Sequence, residues 1–366
     1  MDKVEFDKVV KACRFCLMCR HLCTTGNVTY AEANTPRGHA LILDCMGSEA
    51  LEDTPENRKR AAEVLYECCY CGHCQNNCVS SYKHPDVIMK ARAAVAEEDL
   101  PENVKKVREI IKRNGGIYEN GSQKTGKSDA LGADVLLYAG SFTRNQDPGI
   151  EDAAIGLFEK AGASYTFLSN EGGSGMDAYQ LGMAELSQNM LGNEINRINA
   201  LKPAKVVTLS PDDQRILSGD IPGIDANELK IPVISFSSYA NELIESGKLM
   251  LKKDGKSVTA YHDSDQGGRF LGEYEAPREI LAAVPGIVYK ELFWNKGEAA
   301  SAGESGAIRA LDKDLAGKIA RKRMDQVDGN GIDILITDSP EAKAQLAGTE
   351  SKIKIEHIAE FLYKHV

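Results

Sequence analysis

From residue 79 to residue 366 the chain contains no cysteine, although its first 78 residues contain ten. A disulfide framework spread through the fold is thereby excluded, and a localised metal or redox site remains. The chain also lacks an excess of positive charge. Its 54 Asp and Glu against 44 Lys and Arg give a formal net charge of -10, so no broad positive field exists to hold a phosphate backbone, and nucleic acid is not an expected partner. No apolar run approaches the roughly 20 residues that cross a bilayer, and Met1 to Asp7 lacks the apolar core of a signal peptide. The expected location is the cytoplasm, with no integral membrane segment. The rest of the composition, 42% hydrophobic and 27% charged, is that of a folded protein. A length of 366 residues suggests two or three domains.

The cysteine spacing carries most of the information. Cys13, Cys16, Cys19 and Cys23 read C-x2-C-x2-C-x3-C, and Cys68, Cys71, Cys74 and Cys78 repeat that spacing. Three cysteines at successive intervals of three let one looping segment hold three corners of an iron–sulfur cube, and the fourth thiolate comes from elsewhere. In two-cluster ferredoxins the last cysteine of each run crosses to the other cluster. On that pattern Cys13, Cys16, Cys19 and Cys78 hold cluster one, and Cys68, Cys71, Cys74 and Cys23 hold cluster two, both [4Fe–4S]. Structural zinc is the competing reading. It uses one closed tetrahedron, usually of two separated pairs, and does not call for three close cysteines twice over. Thr24 and Val79 stand where small bacterial ferredoxins commonly carry proline, which leaves the ligands untouched. Of the two remaining cysteines, Cys45 lies in the apolar stretch Gly38 to Met46 and reads as a buried thiol. Cys69 is set aside because only Cys68 keeps the x2 interval to Cys71. Arg14, Arg20 and Arg37 are candidates for offsetting the charge of four thiolates, with solvated arginines as the commoner alternative.

Helical signals surround the two runs. Thr35-Pro36 and Thr54-Pro55 each offer an N-cap followed by proline, the second opening a helix from Arg58 to Tyr66. His84-Pro85-Asp86 opens a third helix through Glu98, and Pro101-Glu102-Asn103 a fourth through Arg113. The segment Cys13-Arg14-Phe15-Cys16-Leu17-Met18-Cys19-Arg20-His21-Leu22-Cys23, then Thr35-Pro36-Arg37-Gly38, then Cys68-Cys69-Tyr70-Cys71-Gly72-His73-Cys74 through Cys78, resembles a known arrangement. It is similar to the helical ferredoxin domain of heterodisulfide reductase-related proteins and of the iron–sulfur subunit of anaerobic glycerol-3-phosphate dehydrogenase. In that family a pair of cysteine-rich repeats, the CCG domains, follows.

The second half agrees in pattern and departs in chemistry. Residues 114–130 form a Gly, Ser, Lys and Asn-rich linker containing Gly121 to Ser128, which matches G-x4-G-K-S. Without a strand before it and a helix after it, that pattern cannot aim backbone amides at a phosphate. Beyond it, Ala133 to Ala139, Val206 to Pro211, Ser257 to His262 and Asp333 to Pro340 read as strand regions. Helices are expected over Pro148 to Ala161 and Ala276 to Val284, so two α/β units with parallel sheets are expected. Gly173-Ser174-Gly175 mimics a dinucleotide fingerprint without its βαβ context. Where the resemblance places family cysteines, the first repeat has Ser141, Gly173-Ser174-Gly175 and Ser210-Pro211-Asp212-Asp213. The second has Asp265 after His262-Asp263, Ser301-Ala302-Gly303 and Ser339-Pro340-Glu341-Ala342. Ser, Gly and Ala cannot hold soft iron–sulfide clusters.

The expected class is an α+β multidomain protein: an N-terminal all-α helical ferredoxin domain over 1–113, a linker over 114–130, and a pair of α/β repeats, degenerate CCG domains, over 131–250 and 251–366. The resemblance implies an electron-transfer subunit relaying single electrons between a flavoprotein dehydrogenase (FAD) or electron-transfer flavoprotein and another carrier, within a hetero-oligomeric complex and with no catalytic residue of its own. One alternative is a self-sufficient reductase with a substrate site, or a harder metal on Asp213, Asp265 and His262, in the C-terminal repeats. The other is a zinc-stabilised scaffold.

Overall fold

The computed structural model describes residues 10–118, 128–252 and 256–366. The run Gly121 to Lys127 lies outside the described residues; Ser128 forms a parallel bridge with Phe167. In the N-terminal part, α1 (Pro36–Gly47) and α2 (Pro55–Tyr66) start on proline behind capping threonines. Thr35 Oγ1 accepts from Gly38 N at 3.0 Å and Thr54 Oγ1 from Asn57 N at 3.2 Å, which satisfies an orphan donor of each first turn. Next come α3 (His84–Ala94) and α4 (Glu102–Asn114), the latter closed by Gly115 at φ 73°, a left-handed cap. The helix expected through Glu98 stops at Ala94. Val95 is extended and Glu97–Asp99 form a separate turn, which brings Asp99 against Arg58 Nε of α2 at 2.6 Å. Cys45 is only partly buried, against the expectation of a buried thiol. The face that α1 buries runs through Pro36, His39, Ala40 and Leu43, and Cys45 lies off that stripe.

The C-terminal part contains two four-stranded parallel sheets of matching order. The first is built from β1 (Val135–Tyr138), β2 (Tyr165–Phe167), β3 (Lys205–Thr208) and β4 (Val233–Ser235), in the order β2-β1-β3-β4. The second is built from β5 (Val258–His262), β6 (Val288–Tyr289), β7 (Ile334–Thr337) and β8 (Lys354–His357), in the order β6-β5-β7-β8. Leu136 pairs with Val206 and Thr166, and Leu335 with Ala260 and Ile355. The central strands are buried along most of their length, as parallel strands covered on both faces must be.

Helices α5 (Pro148–Lys160), α6 (Ala184–Leu201), α7 (Pro211–Leu217), α8 (Phe236–Glu245), α9 (Glu275–Ala283), α10 (Lys313–Met324), α11 (Pro340–Ala347) and α12 (Ile358–Lys364) cover them. One face of each sheet contributes to a shared core in which Leu137, Phe158 and Phe236 of the first repeat meet Tyr261, Ile280 and Phe361 of the second. The opposite face of the first sheet, Leu136 and Tyr138, packs with Tyr70, Val87 and Ile88 of the cysteine-bearing segment. The glycines of Gly173-Ser174-Gly175 serve this packing. A Cβ at Gly173 would lie 2.5 Å from the carbonyl of Gly115, and one at Gly175 2.5 Å from that of Ser187.

Carboxylates are buried at the C-terminal ends of the central strands. Glu171 accepts from Gly140 N at 2.7 Å and Ala139 N at 3.1 Å. Its burial pushes its pKa up to about 7, even though Arg144 pulls it down. Burial also raises Asp338 to about 7, against hydrogen bonds from Ser264 and Tyr261. Unfolded, both groups ionise near pH 4. Folded-state pKa values above the unfolded ones contribute stability that is fully present below about pH 4 and lost as pH rises through about 7. The melting temperature of the intact protein is expected to fall between pH 5.5 and 8, and the fall should be smaller in the E171Q/D338N variant. Identical pH slopes in differential scanning calorimetry would contradict this account of the two carboxyls.

Candidate metal centre

The two cysteine runs share a backbone device that spacing alone does not reveal. Phe15 and Tyr70 occupy equivalent places, two residues after the first cysteine of each run, and both adopt positive φ, 51° and 53°. Non-glycine residues pay for that conformation and hold it only where the surroundings enforce it. It turns each residue's N–H back onto the first thiol. Phe15 N lies 3.4 Å from Cys13 Sγ, and Cys68, pushed up to about 11 by burial, is kept from rising further by Arg92 and then by the Tyr70 N–H. Tyr70 is held in turn: its hydroxyl accepts from Arg215 Nη1 at 3.2 Å and its ring stacks on Phe270. The last cysteines also receive backbone donors, Gly26 N to Cys23 Sγ and Tyr82 N to Cys78 Sγ, each at 3.3 Å. Amides aimed at sulfur favour thiolates.

Cys13, Cys16, Cys19, Cys74 and Cys78 line one cavity, with Arg14, Met18 and Val79 around it. The thiol of Cys13 is raised by burial, and Cys16 and Cys78 raise it further. Cys23 is raised by burial and then by Cys71 and Cys68. Cys74 is raised by burial and then by Cys71, Cys68 and Cys23. Cys78 thus lies with the first run around that cavity, while Cys71 and Cys68 are the cysteines that act most on Cys23 and Cys74. Cys69 is buried, packs with Ile308, Leu315 and Ile319, and sits against Cys71. Eight sulfur donors in two such groups suit soft metals and iron–sulfide cores.

Buried cations beside the second run were not visible in the sequence. Arg92 is wholly buried. It donates to the carbonyls of Cys68 at 2.6 Å, Gln180 at 2.7 Å, Leu65 at 3.0 Å and Gly306 at 3.2 Å, and among the described residues no carboxylate pairs with it. An unpaired buried charge is costly. Four thiolates around an iron–sulfide core would supply the missing negative charge, so the residues fit such a group. Arg269 donates from Nε to the carbonyl of Cys71 at 2.6 Å and pairs with Asp265. The one hint in the sequence was a lone arginine on the apolar face of α3, beside Ile88 and Ala91. Of the arginines singled out beforehand, Arg20 and Arg37 share Glu32, and Arg14 is exposed. His39 and His84, also unforeseen, stack with Nδ1 and Nε2 3.1 Å apart and lie within ligand reach of Cys68. Burial lowers both, His39 to about 3, so they stand as neutral imidazoles beside that thiol.

In the C-terminal repeats, the positions aligned with family cysteines converge and are filled by polar groups. Ser141, Ser174, Asp212, Asp213, Glu304 and Glu341 border a cavity of about 40 Å³, room for one or two waters. In the second repeat Ser301 Oγ donates to Asp265 Oδ2 at 2.5 Å, and Glu304 accepts from the amides of Asp265 and Ala302, both at 2.9 Å. The harder-metal alternative finds no support in this geometry. Asp265 is engaged by Arg269 and Ser301, while His262 Nδ1 accepts from Arg323 Nε at 3.1 Å.

Among the described residues no helix is long and apolar enough to cross a membrane. The chain matches no family model. It is 27% identical to a probable membrane-anchored ferredoxin of Chromohalobacter salexigens over 78% of this chain and 45% of that protein. It is 24% identical to an EtfAB:quinone oxidoreductase of Syntrophomonas wolfei over 91% and 49%. Against one subunit of the dihydromethanophenazine:CoB–CoM heterodisulfide reductase of Methanosarcina barkeri, identity is 21% over 84% and 78%. The chain spans about half the length of the first two. By these similarities the chain resembles the heterodisulfide reductase-related iron–sulfur proteins.

Proposed function

We propose that the chain is an electron-transfer subunit carrying two [4Fe–4S] clusters, one on Cys13, Cys16, Cys19 and Cys78 and the other on Cys68, Cys71, Cys74 and Cys23. Its donor or acceptor is a flavoprotein dehydrogenase or an electron-transfer flavoprotein. The observation that supports this reading is the placement of Cys78 with Cys13, Cys16 and Cys19 around one cavity, together with the influence of Cys71 and Cys68 on Cys23. Bound clusters would supply one-electron redox chemistry, suited to a junction with a two-electron flavin. The chain's own residues do the rest. Backbone amides offset part of the burial that raises the thiols, Arg92 neutralises buried charge, and Tyr70 with Phe270 closes one side of the second site against water. The C-terminal repeats are CCG-like units in which Asp265, Arg269, Ser301 and Glu304 occupy the space of a lost centre, leaving 1–113 as the redox domain and 131–366 as its support.

Anaerobically purified protein should contain about eight iron and eight sulfide per chain. Stoichiometric zinc without sulfide would refute the reading. In the Cys78→Ser variant the signal of the cluster bound through Cys13 should be lost or altered, with the other preserved; the reverse result would overturn the crossed ligand sets.

Arg92 generates a separate expectation. Removing a buried positive charge makes the uptake of an electron nearby less favourable. Arg92→Met should therefore lower the midpoint potential of the cluster bound through Cys68 by on the order of 60 mV, a tenfold change in a one-electron equilibrium. Arg92→Lys should recover most of the shift. Redox titration followed by electron paramagnetic resonance checks this, and equal potentials in Arg92→Met and wild type would remove the electrostatic role.

A further inference from the structure

The two thiol groups differ in what covers them. Cys71 is buried under the second repeat, through Arg269 and through Phe270, which a Cβ at Gly72 would strike at 2.8 Å. Cys16, in contrast, is the one exposed cysteine of the ten. It stands in a rim of apolar side chains that burial would favour, Leu17 at 61%, Met18 at 50% and Val79 at 79% exposure. Met18 and Val79 border the cavity lined by Cys13, Cys16, Cys19 and Cys78.

The charge of this face runs against that of the chain. Residues 10–31 contain Lys11, Arg14 and Arg20 and no Asp or Glu, and residues 74–85 contain Lys83 and no Asp or Glu, within a protein of net charge -10. Lys11, Arg14, Arg20 and Lys83 are all exposed. Lys83 lies between Tyr82 and His84, which line the same cavity as Arg14. Arg20 has a partner in Glu32, which it shares with Arg37. Among the described residues of these two segments the rim is therefore cationic around an apolar centre, with Glu32 and Asp86, the latter beside Lys83, just beyond their ends. Small interfaces of this kind serve transient electron-transfer encounters, where complementary charge sets the rate of association more than the affinity.

We propose that the face formed by Cys16, Leu17, Met18 and Val79 with Arg14 and Lys83 is where an acidic flavoprotein docks to exchange electrons with the chain. This rests on the electron-transfer reading above and adds to it the surface and the charge of the partner. One electron would pass from the partner's reduced flavin, oxidising it by one electron, to the oxidised cluster that Cys13, Cys16, Cys19 and Cys78 would hold, reducing that cluster by one; no covalent bond of the chain is made or broken, and the cationic rim orients the partner. The buried thiol group of Cys68, Cys71, Cys74 and Cys23 is reached from this face rather than directly.

The test uses the full chain with its clusters intact and, as probe, the hydroquinone of flavodoxin, a strongly acidic flavoprotein. Stopped-flow mixing gives the second-order rate constant of cluster reduction across ionic strength. At low salt the R14E/K83E variant should be about tenfold slower than wild type, with the gap closing as salt is raised. Lys83→Glu alone, which alters no residue adjacent to a cysteine, should be slowed in the same sense, and Lys248→Glu, on the C-terminal repeats, should match wild type. Equal rates and salt slopes in wild type and in both rim variants, with iron content and resonance spectra unchanged, would overturn the docking face. An equal slowing by Lys248→Glu would do the same. A wild-type protein reducible by dithionite and never by flavodoxin hydroquinone would instead overturn the electron-transfer reading.

Discussion

The guanidinium of Arg92 is the constraint on which the rest of the molecule depends. Its donors reach Leu65 and Cys68 in the N-terminal part, Gln180 in the first repeat and Gly306 in the second. One buried cation therefore stitches all three regions together through carbonyl groups. Hydrogen bonds to a charged group contribute roughly 1.5–3 kcal/mol each, but carbonyl dipoles do not cancel a unit charge in a dry interior. On the proposed ligand sets, the cancelling charge would come from the thiol group beside it. Metal loading and the docking of the helical part on the repeats are on this view one event, since each supplies what the other leaves unsatisfied.

The same geometry explains how much could be read beforehand. Ligand spacing is local: three sulfurs at successive intervals of three are a property of one loop, so both runs were evident from the chain alone. The left-handed turns at Phe15 and Tyr70 were not, because neither residue type favours positive φ and tertiary packing enforces it. Arg92 and Arg269 were missed for a different reason. Their partners lie far away in sequence, Arg269 reaching back to Cys71, and no local pattern encodes such a contact. Among the strands, β1, β3, β5 and β7 announced themselves as apolar runs. The edge strands β2, β4 and β6 are two or three residues long, and β8 reads Lys354-Ile355-Glu356-His357, so neither length nor composition marks them.

At the positions where the resemblance places family cysteines, buried polar groups satisfy one another. In the second repeat one cation, Arg269, serves Asp265 while Ser301 and backbone amides satisfy the remaining lone pairs of Asp265 and Glu304. Satisfaction of that kind is what makes a buried carboxylate tolerable. Between the repeats, residues of both leave a void of about 40 Å³. That is far below the few hundred cubic ångströms of a ligand pocket, which counts against a substrate site there.

What remains is an asymmetry with a direction. On the proposed ligand sets, the cluster nearer the surface has solvent and exposed cations for company, where salt screens each charge. The inner one is flanked by Arg92 and Arg269 in a medium where the same charges act at much lower dielectric. An added electron is stabilised more strongly by unscreened buried cations than by solvated ones; Asp265 and Glu304 offset Arg269, while Arg92 has no carboxylate partner among the described residues. The inner site should accordingly hold the electron more tightly, so that electrons entering at Cys16 run downhill toward Cys68. Whatever partner draws them off must then approach the inner group, and the packing of the two repeats around it decides from which side that partner can come.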